Sequence, residues 1–194
     1  ALQSLHLEHD LHPWANKSND VYVALLELHF VEGNWSEVWA TSLGIAGTRA
    51  AGLQLQAGVM LGKPLAQLPL DAYFSKLEEG KRTEIISELT HLHTMLAGMG
   101  RTQEAWQLAQ RMGEIHDPTT DPEAWTIDQL RIATSAERAM RPLEALLSYH
   151  EAARIAGQLN DNSLRARMLE SKPVLSMREV PQMRLFVIWP WQTA

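Results

Sequence analysis

The sequence predicts an all-α fold, and three observations carry that prediction. Glycine and proline divide the 194 residues into stretches of helical length, with breaks at Gly33-Asn34, Gly62-Lys63-Pro64, Gly80-Lys81, Gly100-Arg101, Asp117 to Pro122 and near Asn160. Within the stretches apolar residues recur at three- and four-residue spacing, the period of one helix face. Alternation of β-branched and aromatic residues, the strand signal, is confined to Leu185-Phe186-Val187-Ile188-Trp189.

The first break, Gly33, follows the apolar run Leu25 to Val31, and Asn34-Trp35-Ser36-Glu37 restarts a helix. Its Asn and Glu stand at the spacing where each side chain satisfies an orphan amide of the first turn. Arg49–Leu61 and Asp71–Glu79 are the next two helical stretches. Gly44-Ile45-Ala46-Gly47 and Gly52 read as small residues for close helix packing, because no strand precedes them as a phosphate loop requires. From Ile85 to Gly98, Ile85, Leu89, Leu92 and Leu96 share one face while Ser87, Thr90 and Thr94 occupy another. Asp121-Pro122-Glu123 combines a capping carboxylate, a proline with φ preset for the first helical position and an acid at the positive helix end. It starts a helix from about Glu123 to Arg138.

Composition narrows the function classes. The chain is 45% hydrophobic and 21% charged, inside the globular range. The absence of cysteine removes disulfide scaffolds, thiol nucleophiles, iron–sulfur clusters and thiolate zinc sites. The longest uncharged apolar run falls short of the ~20 residues that span a bilayer, so no membrane association is expected. The chain begins Ala1-Leu2-Gln3 without a basic-then-apolar signal and reads as a processed chain or a fragment, with an intracellular setting, cytoplasmic or nuclear, expected. The net charge of −6 is unevenly spread: residues 1–46 carry −5 and residues 131–194 carry +3. With no dense Lys/Arg stripe, direct nucleic-acid binding is not expected. The plain reading of the gradient is a solvated surface; the sharper one is head-to-tail self-association or an acidic partner near the basic end.

An internal period organises the helices. The segment Leu89 to Ala109 is a helix, a turn at Gly100 and a second helix with Ala105 five residues after that glycine. Glu137 to Ala153 repeats the pattern with Ala145, Tyr149 and Ala152, although Met140 stands where the turn glycine belongs. Leu25 to Trp39 repeats it with Gly33, and Val38 in the alanine place. Val38 and Ala105 are 67 residues apart, close to two periods of about 34, and the helices Arg49–Leu61 and Asp71–Glu79 fill the gap with Ala72 near the alanine place. Ala105 and Ala145 are 40 apart. These residues resemble the tetratricopeptide repeat (TPR), whose helix pairs turn on such a glycine and approach closely over such an alanine. The resemblance implies an α–α superhelix of about four TPR-like helix pairs over residues 19–170, after a lead-in at 1–18 and before a non-repeat apolar tail at 171–194. Stacked hairpins of this kind leave an extended concave surface.

By analogy with the family, groove-facing residues are Val23, Glu27 and Phe30, then Ser87, Thr90 and Thr94, then Leu130, Thr134 and Glu137. The resemblance therefore implies a non-enzymatic interaction module, a scaffold or adaptor that binds a peptide or helix of a protein partner. The Lys/Arg/Asn clamp that some family members close on a peptide's terminal carboxylate is missing. The alternative is a ligand- or inhibitor-sensing helical-repeat domain of a larger transcriptional regulator or signalling protein.

The remaining constellations carry little chemistry. His6, His9 and His12 lie at helical spacing and are weak candidate metal ligands, since Pro13 splays the third; the plain reading is an exposed polar lead-in. His29 reads as a hydrogen-bonded core residue, and His91 and His93 fall on different helix faces. No G-x-S-x-G, HExxH, strand-led Gly-rich loop or paired-carboxylate motif is present, so no catalytic residue and no cofactor are assigned. Of the seven tryptophans, Trp35, Trp39 and Trp106 read as core and Trp125 as more open to binding. In the tail, Phe186, Trp189 and Trp191 are too apolar to stand in water and are expected to dock, by capping the last repeat or on a neighbouring chain.

Overall fold

The computed structural model describes residues 15–42, 47–79 and 81–159. Among them the regular structure is entirely helical. In chain order the α-helices are α1 (Ala15–Val31), α2 (Trp35–Ser42), α3 (Thr48–Met60), α4 (Leu70–Phe74), α5 (Arg82–Gly98), α6 (Thr102–Met112), α7 (Pro122–Arg138) and α8 (Pro142–Leu159), with 3-10 turns at Leu65–Gln67 and Ser75–Glu79. The lead-in histidines His6, His9 and His12, Gly44, and the tail with Phe186, Trp189 and Trp191 lie outside the described residues.

Contacts divide the chain between Glu104 and Ala105 into two compact units. In the first, α1 packs on α2 and α3, α2 on α3, and α3 on α4 and α5. Leu26, Val38, Ala50, Leu53 and Ala57 form its buried centre, with Phe30, Trp35 and Trp39 packed against them. Close approach there depends on Gly58: a Cβ would lie 2.5 Å from Leu68 Cδ2 and 2.6 Å from the Trp39 ring. In the second unit α7 packs on α8, and Trp106, Ala109, Leu130, Ala133, Ala136, Ala145, Tyr149 and Ala152 close the core. Trp35, Trp39 and Trp106 thus take the packing positions expected of them, and Trp125 is half-buried.

One turn recurs. Asn34 N–H donates to His29 O and Gly33 N–H to Phe30 O. The same pair of bonds, five and three residues back, closes the helix ends at Gly62-Lys63, Gly100-Arg101 and Met140-Arg141. This is the Schellman arrangement, which requires a left-handed residue after the helix, and φ is +80, +72, +75 and +58° at Gly33, Gly62, Gly100 and Met140. The glycine places found by period are therefore one structural device, and Met140 adopts the same backbone without being glycine. Val38, Ala105 and Ala145, five residues after three of these turns, are buried.

The second helix pair departs from expectation. The stretch Asp71–Glu79 splits into the short α4 and a 3-10 turn. Ala72 is exposed while Tyr73 is buried, so the aromatic takes the inward place assigned to the alanine. The cause is the connection after Gly62: Leu65, Leu68 and Leu70 are buried, which commits the loop to the core and shifts the face that follows. Asp121 caps α7 as expected, its Oδ1 accepting from Ala124 N–H at 3.2 Å. Asn34 instead turns its side-chain amide back to Glu32 Oε2 at 3.2 Å.

Candidate functional site

Asp20, Val23, Ala24 and Glu27 sit three and four residues apart and so share one face of α1. The N-terminal turn of α3 brings Thr48, Arg49 and Ala50 opposite them, with Gly47 leading in at φ +123°, and the start of α5 adds Lys81 and Glu84. Together they line an open cleft of about 280 Å³.

An ion-pair network forms one side of the cleft. Arg49 Nε donates to Glu27 Oε1 at 2.7 Å, and its Nη1 donates to Glu88 Oε1. Gln56 Nε2 holds the other Glu88 oxygen at 2.6 Å. Gly52 makes room for this carboxylate, since a Cβ there would stand 3.1 Å from Glu88 Oε2. Partial burial alone would lower the Arg49 pKa, but the two carboxylates outweigh it and raise the value. Beside them Tyr73 is raised by burial first and by the Glu88 and Glu84 charges second, so it stays a neutral phenol. With Arg49 already shared between two carboxylates, the exposed charges left on the lip are Asp20, Glu84 and Lys81. The cleft therefore presents a negative field with a short apolar floor from Val23, Ala24 and Ala50.

The residues expected to face a groove separate into several settings. Val23 and Glu27 line the cleft. Phe30 packs against the core of the first unit. Ser87 and Thr94 are exposed and Thr90 is half-buried; Thr94 Oγ1 donates to Thr90 O at 2.9 Å. In the second unit Leu130 is buried in the core. Thr134 Oγ1 bonds Leu130 O and Arg131 O on its own helix. Glu137 accepts a 3.0 Å hydrogen bond from the Tyr149 hydroxyl, and burial followed by that carboxylate raises the Tyr149 pKa.

Several working residues had no motif to mark them. Arg49 and Gln56 lie 39 and 32 residues before Glu88 and meet it only through the packing of α3 on α5. In the second unit Asp128 is buried, with Oδ2 2.7 Å from His116 Nδ1 and Oδ1 2.5 Å from Arg131 Nη1. Both oxygens of that carboxylate are engaged, so it braces the Gly113–Asp121 connection against α7. The Asp128–Arg131 half has legible i,i+3 spacing; the His116 half does not. His29 is half-buried, with Nδ1 3.3 Å from Asn34 Nδ2.

Among the described residues no group of three or more His, Asp or Glu side chains is arranged to hold a metal ion, and no helix is long and apolar enough to cross a membrane. No protein-family model, curated protein or solved structure matches the chain.

Proposed function

We propose that the chain is a TPR-like interaction module that holds a segment of a protein partner at the cleft between α1, α3 and α5. The observation that carries the reading is the cleft's form: open, lined by side chains of three helices, apolar at its floor and acidic at its rim. Extended or helical peptides are bound by such surfaces through shape and a few charge contacts. A partner segment bearing Lys or Arg beside small apolar residues suits it. The four equivalent Schellman turns and the buried Val38, Ala105 and Ala145 support the TPR-like reading of the helix pairs. The sensing alternative draws less support, because a small-molecule site is usually an enclosed, largely apolar cavity of roughly 300–1,000 Å³.

The test is selection of displayed 12-residue peptides (a length of about three helical turns) on the full chain, followed by affinity measurement of the enriched peptides. Enriched sequences are expected to carry Lys or Arg and to lose about 10-fold or more in affinity on Asp20→Lys with Glu84→Lys, since rim charges are exposed and reversal turns attraction into repulsion. No enrichment, or enriched peptides indifferent to both reversals, overturns the assignment.

A further inference from the structure

Exposed apolar side chains are concentrated near the first and the last of the described helices in the sequence. Of the eight large hydrophobic residues exposed among the described residues, Leu61 and Met99 sit singly at helix C-termini, and the other six lie on α1, in the turn at Met140 or in the first turns of α8. On α1, Val21, Ala24, Leu28 and Val31 are all exposed at spacings of three, four and three, one continuous stripe. Leu143 and Leu147, four residues apart on α8, form a second stripe with Met140 in the turn just before the helix, continued by the exposed His150 and Arg154. Val31 is 83% exposed and Met140 86%. Single exposed hydrophobics are ordinary, but an ordered stripe on a terminal hairpin is the face that a neighbouring hairpin would cover in a stacked array.

The charges around the stripes are complementary. The α1 stripe is bracketed by exposed acids, Asp20 before it and Glu32 and Glu37 after it. The α8 stripe is bracketed by exposed arginines, Arg138 before it and Arg154 after it, the latter also donating to Glu151 Oε2 at 2.9 Å. The chain's own residues 1–14 would bring Glu8 and Asp10, with no Lys or Arg, against an already acidic face.

We propose that the α1 stripe is the docking site for the α8 stripe of a second copy of this chain, in a head-to-tail contact that buries both stripes at once and pairs acidic rims with basic ones. The contact joins one face to a different one, so association continues past the dimer unless the geometry closes a ring. It does not rest on the cleft reading: Ala24 and Asp20 border both surfaces, but Val21, Leu28 and Val31 are not cleft residues.

The experiment is sedimentation velocity of the full chain over about a hundred-fold range of concentration, with Leu28→Asp and Leu147→Asp. The wild-type chain is expected to rise in average mass beyond a dimer with concentration, and to associate more weakly as salt goes from about 50 to about 500 mM. Each variant alone is expected to stay monomeric with an unchanged Tm, both side chains being exposed. The decisive sample is the equimolar mixture: each variant keeps the face the other has lost, so the mixture forms a one-to-one heterodimer and nothing larger. A wild-type chain that stays monomeric overturns the proposal and assigns the stripes to the chain's own ends. A wild-type dimer untouched by Leu147→Asp overturns it in favour of α1 pairing with itself.

Discussion

Met140 holds the left-handed backbone that glycine holds at three equivalent turns, at φ +58°. An L side chain there costs ~1–2 kcal/mol, and Met140 is almost fully exposed, so its removal forfeits no packing. Met140→Gly is therefore expected to stabilise the second unit by about 0.5–1 kcal/mol after the entropy that glycine adds to the unfolded chain is subtracted. The check is a urea midpoint at low protein concentration, where the stripe it belongs to is unpaired; an unchanged or lower midpoint would show that the turn is unstrained.

Arg101, one residue after the equivalent glycine, reaches from its turn to Glu104 at 2.5 Å, to Val59 O in the last turn of α3 at 3.2 Å and to Lys63 O in the connection after it at 2.5 Å. Glu104 also accepts from Leu65 N–H at 2.8 Å. The Arg101 hydrogen bond leads in lowering the Glu104 pKa below its ordinary 4.5, ahead of the Leu65 bond and against partial burial. A depressed carboxylate contributes stability that is complete above the unfolded value and disappears as pH falls through the folded one. Glu104→Gln is accordingly expected to lower Tm near neutrality, with the gap from wild type closing below pH 4.5. A gap that persists at low pH would mean that the charge is not what matters there.

At the scale of elements, α3 is defined by what its glycines admit. Gly58 lets Leu68 and the Trp39 ring approach within the volume a methyl would need, and Lys63 Nζ sits 4.7 Å over the same ring. Alanine would gain ~1 kcal/mol in helix propensity but overpack this contact at a cost of ~1–3 kcal/mol. Gly58→Ala is expected to destabilise on balance, by about 1 kcal/mol in chemical denaturation; net stabilisation would show that the contact yields easily. Element ends were legible wherever a local device marks them: the Asp121 cap, the turn glycines, the periodic face from Ile85 to Leu96. The split of Asp71–Glu79 was not, because it follows from Leu65, Leu68 and Leu70 turning into the core, and inward commitment of a loop leaves no period to read.

At the scale of the whole molecule, the charge gradient along the sequence acquires a location. The acidic segment places Asp20 and Glu27 at the cleft and Asp20, Glu32 and Glu37 around the apolar stripe of α1, while Arg138 and Arg154 flank the stripe of α8. The two proposed surfaces share one helix: α1 turns Val23 and Glu27 to the cleft and Leu28 and Val31 away from it, with Asp20 and Ala24 bordering both. Their separate tests, peptide capture and self-association, read them independently.

The amino-acid sequence alone determined the all-α character, the glycine turns and most helix boundaries, because these depend on residues at most five apart, within reach of one turn's hydrogen bonds. Only the tertiary structure decided which charges meet. Arg49 with Glu27 and Glu88, and His116 with Asp128, are joined across separate helices or loops. Pairing at that range depends on how helices pack, and the packing is decided by apolar surface and by the space left at Gly52 and Gly58, which carry no charge themselves.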